Sequence, residues 1–281
     1  MSAGARTGSV GSRAAALAVC GLLAAGCTPA SPAAAPSGPS ASPLPAVAAT
    51  GSNLAARGRA ADAFARARGG RTGIVVRDRT TGETWRNAEA GSAFRAASTV
   101  KLAIAVDLLV RTRAAGRALD AADRAALTAM IVSSDNAAAV RLWSRAGAAA
   151  GGRLAAYGLR DATRTDAWGA VRCTPEDLER LVSYLLERAH PADRALLVGL
   201  LRAVVPKQRW GVLGTVAGTR PGGKNGWVPG PAGWSVATVG FLGPGERYTV
   251  AVMTAGPAGT DFVAGVETVT GTVTTLFLGL S

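Results

Sequence analysis

The sequence predicts an α+β fold, in which an antiparallel five-stranded sheet is flanked by helices and an all-helical lobe is inserted in mid-chain. Strand-like patterns occur near both ends of the folded part, and helical periodicity dominates between them. The resulting order is one helix, two strands, a block of helices, three strands and a last helix. Because this order excludes a regular alternation of βαβ units, the sheet is expected to combine strands from both ends of the chain.

The first helix and the first hairpin are separated by a change of hydrophobic period. Residues 53–68 are rich in Ala and Arg, and Gly69 ends this predicted helix. The segments 72–78 and 83–87 then flank a turn that contains Gly82. The first of these segments contains a continuous apolar run, which is typical of a strand covered on both faces.

The remaining helices and strands are predicted from the same hydrophobic periodicity. The helix that starts at residue 98 is expected to run to about 113. Thr174 followed by Pro175, with acids in the first turn, is the strongest helix start signal. Other lobe helices are expected at about 121–132, 136–146, 150–157 and 192–203. The remaining strands are expected at about 221–228, 233–242 and 247–254, before a final helix at about 261–278.

Residues 1–27 have the pattern of a lipoprotein signal peptide. Arg6 and Arg13 precede an apolar run over 14–25, which is too short to span a bilayer and is followed by small residues up to Cys27. Cleavage there would make Cys27 the first mature residue and the site of lipid attachment. A plain cleaved signal with an incidental Cys27 is the alternative. The lipid-anchored form is expected on the outer face of the cell membrane.

The segment 28–50 is predicted to be a tether. It consists mostly of Ala, Pro and Ser without any charge, so it cannot bury a core. The folded domain is then residues 51–281, which we expect to be a monomer.

Composition excludes several classes of function. The net charge of +13 falls to +11 when Arg6 and Arg13 leave with the signal, and the remaining arginines are scattered without interleaved aromatic residues. A nucleic-acid partner is therefore not expected. The single histidine, His190, argues against a zinc site, and its position before Pro191 indicates a surface loop. Neither a metal nor another cofactor is predicted, and Cys173 has no partner for a disulfide.

Lysine is rare in this chain, which has three Lys against 28 Arg. Lys101 closes a Ser-X-X-Lys motif that begins at Ser98, and Lys224 opens Lys-Asn-Gly. Ser134-Asp135-Asn136 lies between these two motifs. Each motif alone is an ordinary turn or loop sequence, but their joint order points to a serine acyl-transfer site. A desolvated lysine can lose its proton and act as a base, whereas arginine stays protonated.

The spacing of the first motif suits nucleophilic catalysis. Residues three apart on a helix share one face, so Lys101 is expected beside Ser98 in the first helical turn. Burial and the nearby charge of Lys224 would lower the pKa of Lys101 and let it accept the Ser98 proton.

These motifs, and the segments Phe94–Lys101 and Met130–Ala137 around the first two, resemble the penicillin-recognising serine enzymes, above all the class A β-lactamases. The resemblance covers most of residues 53–281 and implies a β-lactamase/transpeptidase-like fold. It also implies that Ser98 is the acylated nucleophile and Lys101 its base. Ser134 would pass a proton to the leaving nitrogen.

The resemblance further assigns substrate contacts. Asn136 would hold the substrate amide, Lys224 would bind the substrate carboxylate, and the Lys-Asn-Gly segment, with Asn225 and Gly226, would line the binding site. The backbone N–H groups of Ser98 and Trp227 would form the oxyanion hole.

Two departures from the family pattern stand out. Asn225 replaces the usual Thr or Ser, and the bulky Trp227 follows where a small residue is common. The segment between Tyr157 and Thr174 contains no Glu to activate the deacylating water. Asp166 is the nearest substitute, although an ion pair with Arg164 or Arg172 is its expected role, and Asp161 is a weaker candidate.

The sequence thus favours an exported serine hydrolase that acts on β-lactams or D-alanyl peptides through an acyl-enzyme. The alternative is a lipoprotein that binds wall peptide or penicillin without catalysis or without deacylation. A purely structural protein is the weakest reading. The sequence leaves open whether Trp210, Trp227 and Trp234 line the cleft or pack beneath it.

Overall fold

A five-stranded antiparallel sheet lies at the centre of the computed structural model, which describes residues 53–147, 149–163, 165–214, 218–230, 233–256 and 259–279. The strands are β1 (Arg71–Asp78), β2 (Thr84–Arg86), β5 (Gly222–Gly230), β6 (Gly233–Leu242) and β7 (Tyr248–Ala255). The predicted signal peptide, Cys27 and the tether lie outside the described residues.

The spatial order of the strands is β2-β1-β7-β6-β5, with every neighbouring pair antiparallel. The early hairpin therefore joins the late strands through the pairing of β1 with β7, in which Ile74 lies opposite Val252. This confirms the predicted sheet and its origin in both ends of the chain. Strand β5 is left at one edge.

The helices complete the predicted α+β architecture, and most of their bounds agree with the periodicity. They are α1 (Leu54–Ala67), α2 (Lys101–Ala114), α3 (Ala121–Val132), α4 (Asn136–Ala146), α5 (Ala150–Arg153), α6 (Pro175–Glu187), α7 (Pro191–Arg202) and α8 (Phe262–Phe277). Thr174 caps α6 as predicted, in a reciprocal capping box with Asp177.

Alternating side chains of the sheet belong to two different hydrophobic cores. On β7, Val250 and Val252 belong to the core under α1 and α8, whereas Ala251 and Met253 belong to the core shared with the helical lobe. Thr268, Thr272 and Thr275 in α8 each donate a side-chain hydrogen bond to the carbonyl four residues earlier. Their polar groups are thereby satisfied inside the helix.

The segment at Ser98 differs from the predicted helix. Residues Ala97–Val100 form a 3₁₀ turn, and α2 begins only at Lys101. The turn starts at Ala97, whose φ of +46° is foreign to an α-helix. Similarly, the helix predicted over 150–157 is a short α5 followed by a 3₁₀ turn, Leu154–Tyr157.

Two smaller features complete the fold. Phe94–Arg95 (β3) and Arg172–Cys173 (β4) pair in a separate two-stranded sheet, which was too short to be visible in the sequence pattern. His190 is exposed and caps α7, with Nδ1 accepting a hydrogen bond from the Ala192 N–H over 3.2 Å. In the part of the chain that the structure describes, no helix combines the length and apolarity needed to cross a bilayer.

Candidate active site

The three motifs meet where the helical lobe faces the edge of the sheet. Ser98 lies in the 3₁₀ turn before α2, Ser134 lies in the loop between α3 and α4, and Lys224 lies on edge strand β5. Ala97 and Ser134 both have positive φ, +46° and +60°. Such conformations are costly for non-glycine residues and are concentrated at functional sites.

Lys101 is fully buried, and its ammonium group is held by the second motif. Its Nζ donates to the Ser134 carbonyl and to Asn136 Oδ1, each over 2.6 Å, and lies 3.3 Å from Ser134 Oγ. Burial lowers the pKa of Lys101 to about 8, and the Asp135 charge opposes this shift. At mildly alkaline pH a substantial fraction of Lys101 is therefore a neutral amine.

Lys224 approaches the same hydroxyl from the sheet. Its Nζ donates to Ser134 Oγ over 2.8 Å and to the Asn225 carbonyl over 2.9 Å, and its side chain is only 1% exposed. Burial, and secondly the charge of Lys101, hold the pKa of Lys224 well below its usual value. Ser134 Oγ thus lies between two lysines, where it can pass a proton.

Ser98 is half-buried and lines the cleft. Its Oγ has no hydrogen-bond partner among the residues that the structure describes, and Lys101 Nζ bonds to Ser134 and Asn136 instead. Lys101 and Ser98 are three residues apart across a 3₁₀ turn, in which side chains at this spacing eclipse. Catalytic hydrogen bonds are often long in unliganded enzymes and shorten when substrate binds.

Gly226 brings β5 against the Ser98 turn. A Cβ atom at this position would lie 2.8 Å from the backbone nitrogens of Ser98 and Thr99. Such a contact is too short for carbon and nitrogen, and both neighbours are rigid backbone. A glycine is therefore required here if β5 is to stay beside the backbone N–H of Ser98.

Gly226→Ala is expected to lower the rate of acylation of Ser98 by about 10²-fold, because it pushes apart the two backbone segments of the expected oxyanion hole. The rate of adduct formation with penicillin measures the effect. Gly230→Ala is the matched control, because Gly230 lies at the far end of β5. Its Cβ would lie 3.0 Å from the Gly233 carbonyl oxygen and would not approach the Ser98 turn. Equal rates in the native protein and Gly226→Ala would contradict this role.

The aromatic ring of Trp168 packs against the ammonium group of Lys101. Its indole ring lies 4.8 Å from Lys101 Nζ, within the 3₁₀ turn Trp168–Ala170. This turn belongs to the segment between Tyr157 and Thr174, in which the family pattern has a Glu. Lys101 is 0% exposed, although Ser98 and Ser134 beside it are partly accessible.

The two acidic candidates of this segment are Asp161 and Asp166. In the part of the chain that the structure describes, neither side chain has a hydrogen bond or ion pair with Lys101. Asp166 is exposed and contributes its carbonyl to Trp143 Nε1 over 2.6 Å. Within the described ranges, Asp166 forms no ion pair with Arg172, which donates to the Ala93 carbonyl; Arg164, the other expected partner, lies outside the described residues. Asp161 pairs with Arg180 over 2.8 Å.

The cleft has a volume of about 410 Å³, within the range of small-molecule sites. Its lining combines polar side chains with three aromatic residues. The lining residues are Ser98, Ser133, Ser134, Asn136, Lys207, Gln208, Trp210, Trp227 and Phe262. Trp210 and Trp227 therefore line the cleft, whereas Trp234 contacts the ring of Phe262 at 5.7 Å.

Asn225 and Trp227 point to the opposite face of β5 from Lys224, as alternate residues on a strand must. Asn225 is buried, and its Nδ2 donates to the carbonyls of Gln208 and Trp210 over 2.8 and 3.0 Å. The Asn225 side chain thus holds a neighbouring segment of backbone.

Four residues at this site escaped the sequence analysis: Trp168, Lys207, Gln208 and Phe262. Lys207 carried a signal, because it is the third of only three lysines. The others carried none, since nothing in their local sequence separates them from core residues. No group of three or more potential metal ligands occurs within the described ranges.

The fold is that of the class A β-lactamases. A β-lactamase from Sphaerobacter thermophilus DSM 20745 matches with a TM-score of 0.67 and 25% identity, over 79% of this chain and 96% of that chain. A class A β-lactamase from Mycobacterium abscessus matches with a TM-score of 0.66 and 19% identity, over 79% and 98%. The chain thus has the scaffold of a class of serine hydrolases. No family model matches the sequence.

The curated relatives are proteins of Mycobacterium tuberculosis and Mycobacterium bovis, both named "Putative lipoprotein LppW". Each is 32% identical over 239 residues, which is 80% of this chain and 75% of the relative. The chain belongs to the LppW family.

Proposed function

We propose that this protein is an exported serine acyl hydrolase that reacts with β-lactams or D-alanyl peptides through an acyl-enzyme at Ser98. The observation that carries the proposal is the pair of buried lysines, Lys101 and Lys224, on one hydroxyl, Ser134, beside a serine that is open to the cleft. Burying two amines is costly. A packing role alone gives no reason for that cost.

Acylation would proceed by a short proton path. The neutral amine of Lys101 takes the proton of Ser98 as Oγ attacks the substrate carbonyl carbon. The negative oxygen of the tetrahedral intermediate is stabilised by the backbone N–H groups of Ser98 and Trp227. Ser134 gives its proton to the leaving nitrogen as the carbon–nitrogen bond breaks, and Lys101 returns the proton to Ser134. Lys101 is therefore a neutral amine again at the end of acylation.

Asn136 has two tasks in this proposal. Its Oδ1 accepts a hydrogen bond from Lys101, which fixes the amide orientation. Asn136 is exposed and lines the cleft, where its amide nitrogen would hold the substrate amide. Gly226 and Trp227 contribute backbone groups. Asn225 holds the cleft-lining segment 208–210 through its hydrogen bonds to the Gln208 and Trp210 carbonyls.

Hydrolysis of the acyl-enzyme is expected to be slow. The Trp168 ring lies against Lys101, and neither Asp161 nor Asp166 has a hydrogen bond or ion pair with Lys101 within the described part of the chain. Loss of a general base typically costs about 10²- to 10⁴-fold in rate. This observation favours the second candidate function, a penicillin- or peptide-binding lipoprotein that acylates without turnover.

The cellular setting is also part of the proposal. The LppW relatives are named as lipoproteins, and the sequence has a Cys27 where such proteins are lipidated. We place residues 51–281 outside the cell membrane on the tether 28–50, as a monomer without a nucleic-acid partner or cofactor.

The test compares turnover of nitrocefin by the native protein and by Ser98→Ala. The proposal predicts measurable but slow turnover in the native protein and none in Ser98→Ala. Ser133→Ala is the matched control, because this neighbouring serine also lines the cleft and no catalytic step is assigned to it. Equal turnover by the native protein and Ser98→Ala would remove Ser98 from the mechanism.

A further inference from the structure

Lys207 is the one charged residue among those that line the cleft in the part of the chain that the structure describes. It is exposed, whereas Lys101 and Lys224 are 0% and 1% exposed. All three lysines of a chain with 28 arginines therefore lie at or beside one site, and Lys207 is the exposed one among them.

Lys224 is poorly placed for the carboxylate role that the family resemblance gives it. Both hydrogen bonds of its Nζ go to the protein, to Ser134 Oγ and to the Asn225 carbonyl. Lys224 is also absent from the cleft lining. A ligand anion in the cleft meets Lys207 without displacing any of these bonds.

The segment that carries Lys207 is held from two sides. Asn225 Nδ2 bonds the carbonyls of Gln208 and Trp210, and Gln208 Nε2 donates to the Ser133 carbonyl over 3.0 Å. The backbone on which Lys207 stands is thus fixed relative to β5 and to the second motif. Asn225, which departs from the family pattern, fixes the wall that bears this lysine.

An aromatic surface continues this wall. The ring centroids of Trp210 and Trp227 are 5.9 Å apart, and each lies within 6.0 Å of the Phe262 ring. Trp227 directly follows Gly226, which approaches Ser98, so the rings lie beside the expected reaction centre. Rings in this arrangement offer a large apolar contact area to a ligand.

We propose that the cleft selects a ligand with both a carboxylate and an apolar ring. Lys207 binds the carboxylate, and the aromatic surface formed by Trp210, Trp227 and Phe262 binds the ring. This inference rests on the proposed acyl-transfer site and names the substrate class of that site. Lys207 replaces Lys224 as the group that meets the carboxylate. A charge-assisted hydrogen bond of this kind is the strong class of polar contact.

Binding to the full chain in detergent, carrying Ser98→Ala so that no acylation occurs, tests the inference. Three probes are titrated by NMR: phenylacetylglycine has the ring and the carboxylate, phenylacetylglycinamide lacks the charge, and acetylglycine lacks the ring. Phenylacetylglycine should bind most tightly of the three. Lys207→Gln should weaken it about 10-fold, the effect of one charged hydrogen bond, and leave the binding of the amide unchanged.

Matched variants separate this contact from general electrostatics. Arg209→Gln removes a charge two residues away, outside the cleft lining, and should leave all three affinities unchanged. Trp227→Leu should weaken phenylacetylglycine and spare acetylglycine. Equal affinity of the carboxylate and its amide, equal effects of Lys207→Gln and Arg209→Gln, or no binding of phenylacetylglycine would each overturn the inference. Failure of the proposed function would show instead as absence of a covalent adduct at Ser98.

Discussion

Replacing Lys101 by arginine is expected to lower the rate of Ser98 acylation by about 10²- to 10⁴-fold, the usual contribution of a general base. Arginine keeps the positive charge and much of the side-chain volume, but it does not release its proton at accessible pH. Lys101 is buried against Ser134 and Asn136, and its pKa is lowered to about 8. The rate of adduct formation with excess penicillin measures the loss.

The pH dependence of the native protein tests the same base. Because the reactive form of Lys101 is the neutral amine, the acylation rate should rise with pH and reach half of its plateau near a pH of about 8. The rise should be absent in Lys101→Arg. A rate that is independent of pH between 6 and 9 at fixed, saturating penicillin, with roughly native activity in Lys101→Arg, would contradict the role of Lys101.

Chemical rescue provides the control for folding. In Lys101→Ala, small primary amines such as methylamine should restore part of the acylation rate, whereas guanidinium ions of similar charge should not. Native-like circular dichroism of both variants is required before the rates are compared. Loss of activity without rescue in a folded variant would favour a structural role for Lys101.

Replacing Trp168 by alanine is expected to expose Lys101 and to shorten the lifetime of the acyl-enzyme by about 10-fold or more, since water gains access to a low-pKa amine that can act as a base. The centroid of the indole ring lies 4.8 Å from Lys101 Nζ, the same ammonium group that Ser134 and Asn136 hydrogen-bond. Intact-protein mass followed over hours after removal of free penicillin measures this lifetime.

Labelling of lysines gives a readout of the Trp168 cover that does not depend on catalysis. Only three lysines occur, so peptide mapping after reductive methylation assigns each one. Lys207 is exposed and should react in every variant, whereas Lys224 is buried and should stay protected. Lys101 should be protected in the native protein and in Trp168→Phe, and modified in Trp168→Ala. Protection of Lys101 in Trp168→Ala would contradict the claim that Trp168 shields Lys101 from solvent.

The fold could be predicted from the sequence because its signals are local. The periodicity switches from helical to strand-like before Arg71 and again before Gly222, and the order of elements then leaves few topologies. The pairing of β3 with β4 could not be predicted, because two-residue strands have no periodicity. The 3₁₀ turn at Ser98 depends on the positive φ of Ala97, which an alanine does not signal.

The motif residues were visible as short sequence patterns, but the walls around them were not. Trp168 and Lys101, 67 positions apart, meet because the 3₁₀ turn of Trp168 packs against the turn that carries Ser98 and against α4. The alternation on β5 did contain a usable signal. Residues two apart on a strand share a face, so Asn225 and Trp227 had to point away from Lys224. What Asn225 binds there depends on the segment 208–210 and is a tertiary result.

The central claim is that Ser98 is acylated, and intact-protein mass spectrometry with excess penicillin tests it most directly. The account predicts an adduct of one drug mass on the native protein that persists over hours, is absent from Ser98→Ala and is retained in Ser133→Ala. An adduct on Ser98→Ala, or no adduct on the native protein at any pH between 6 and 9, an interval that spans the pKa of about 8 of Lys101, would contradict the account.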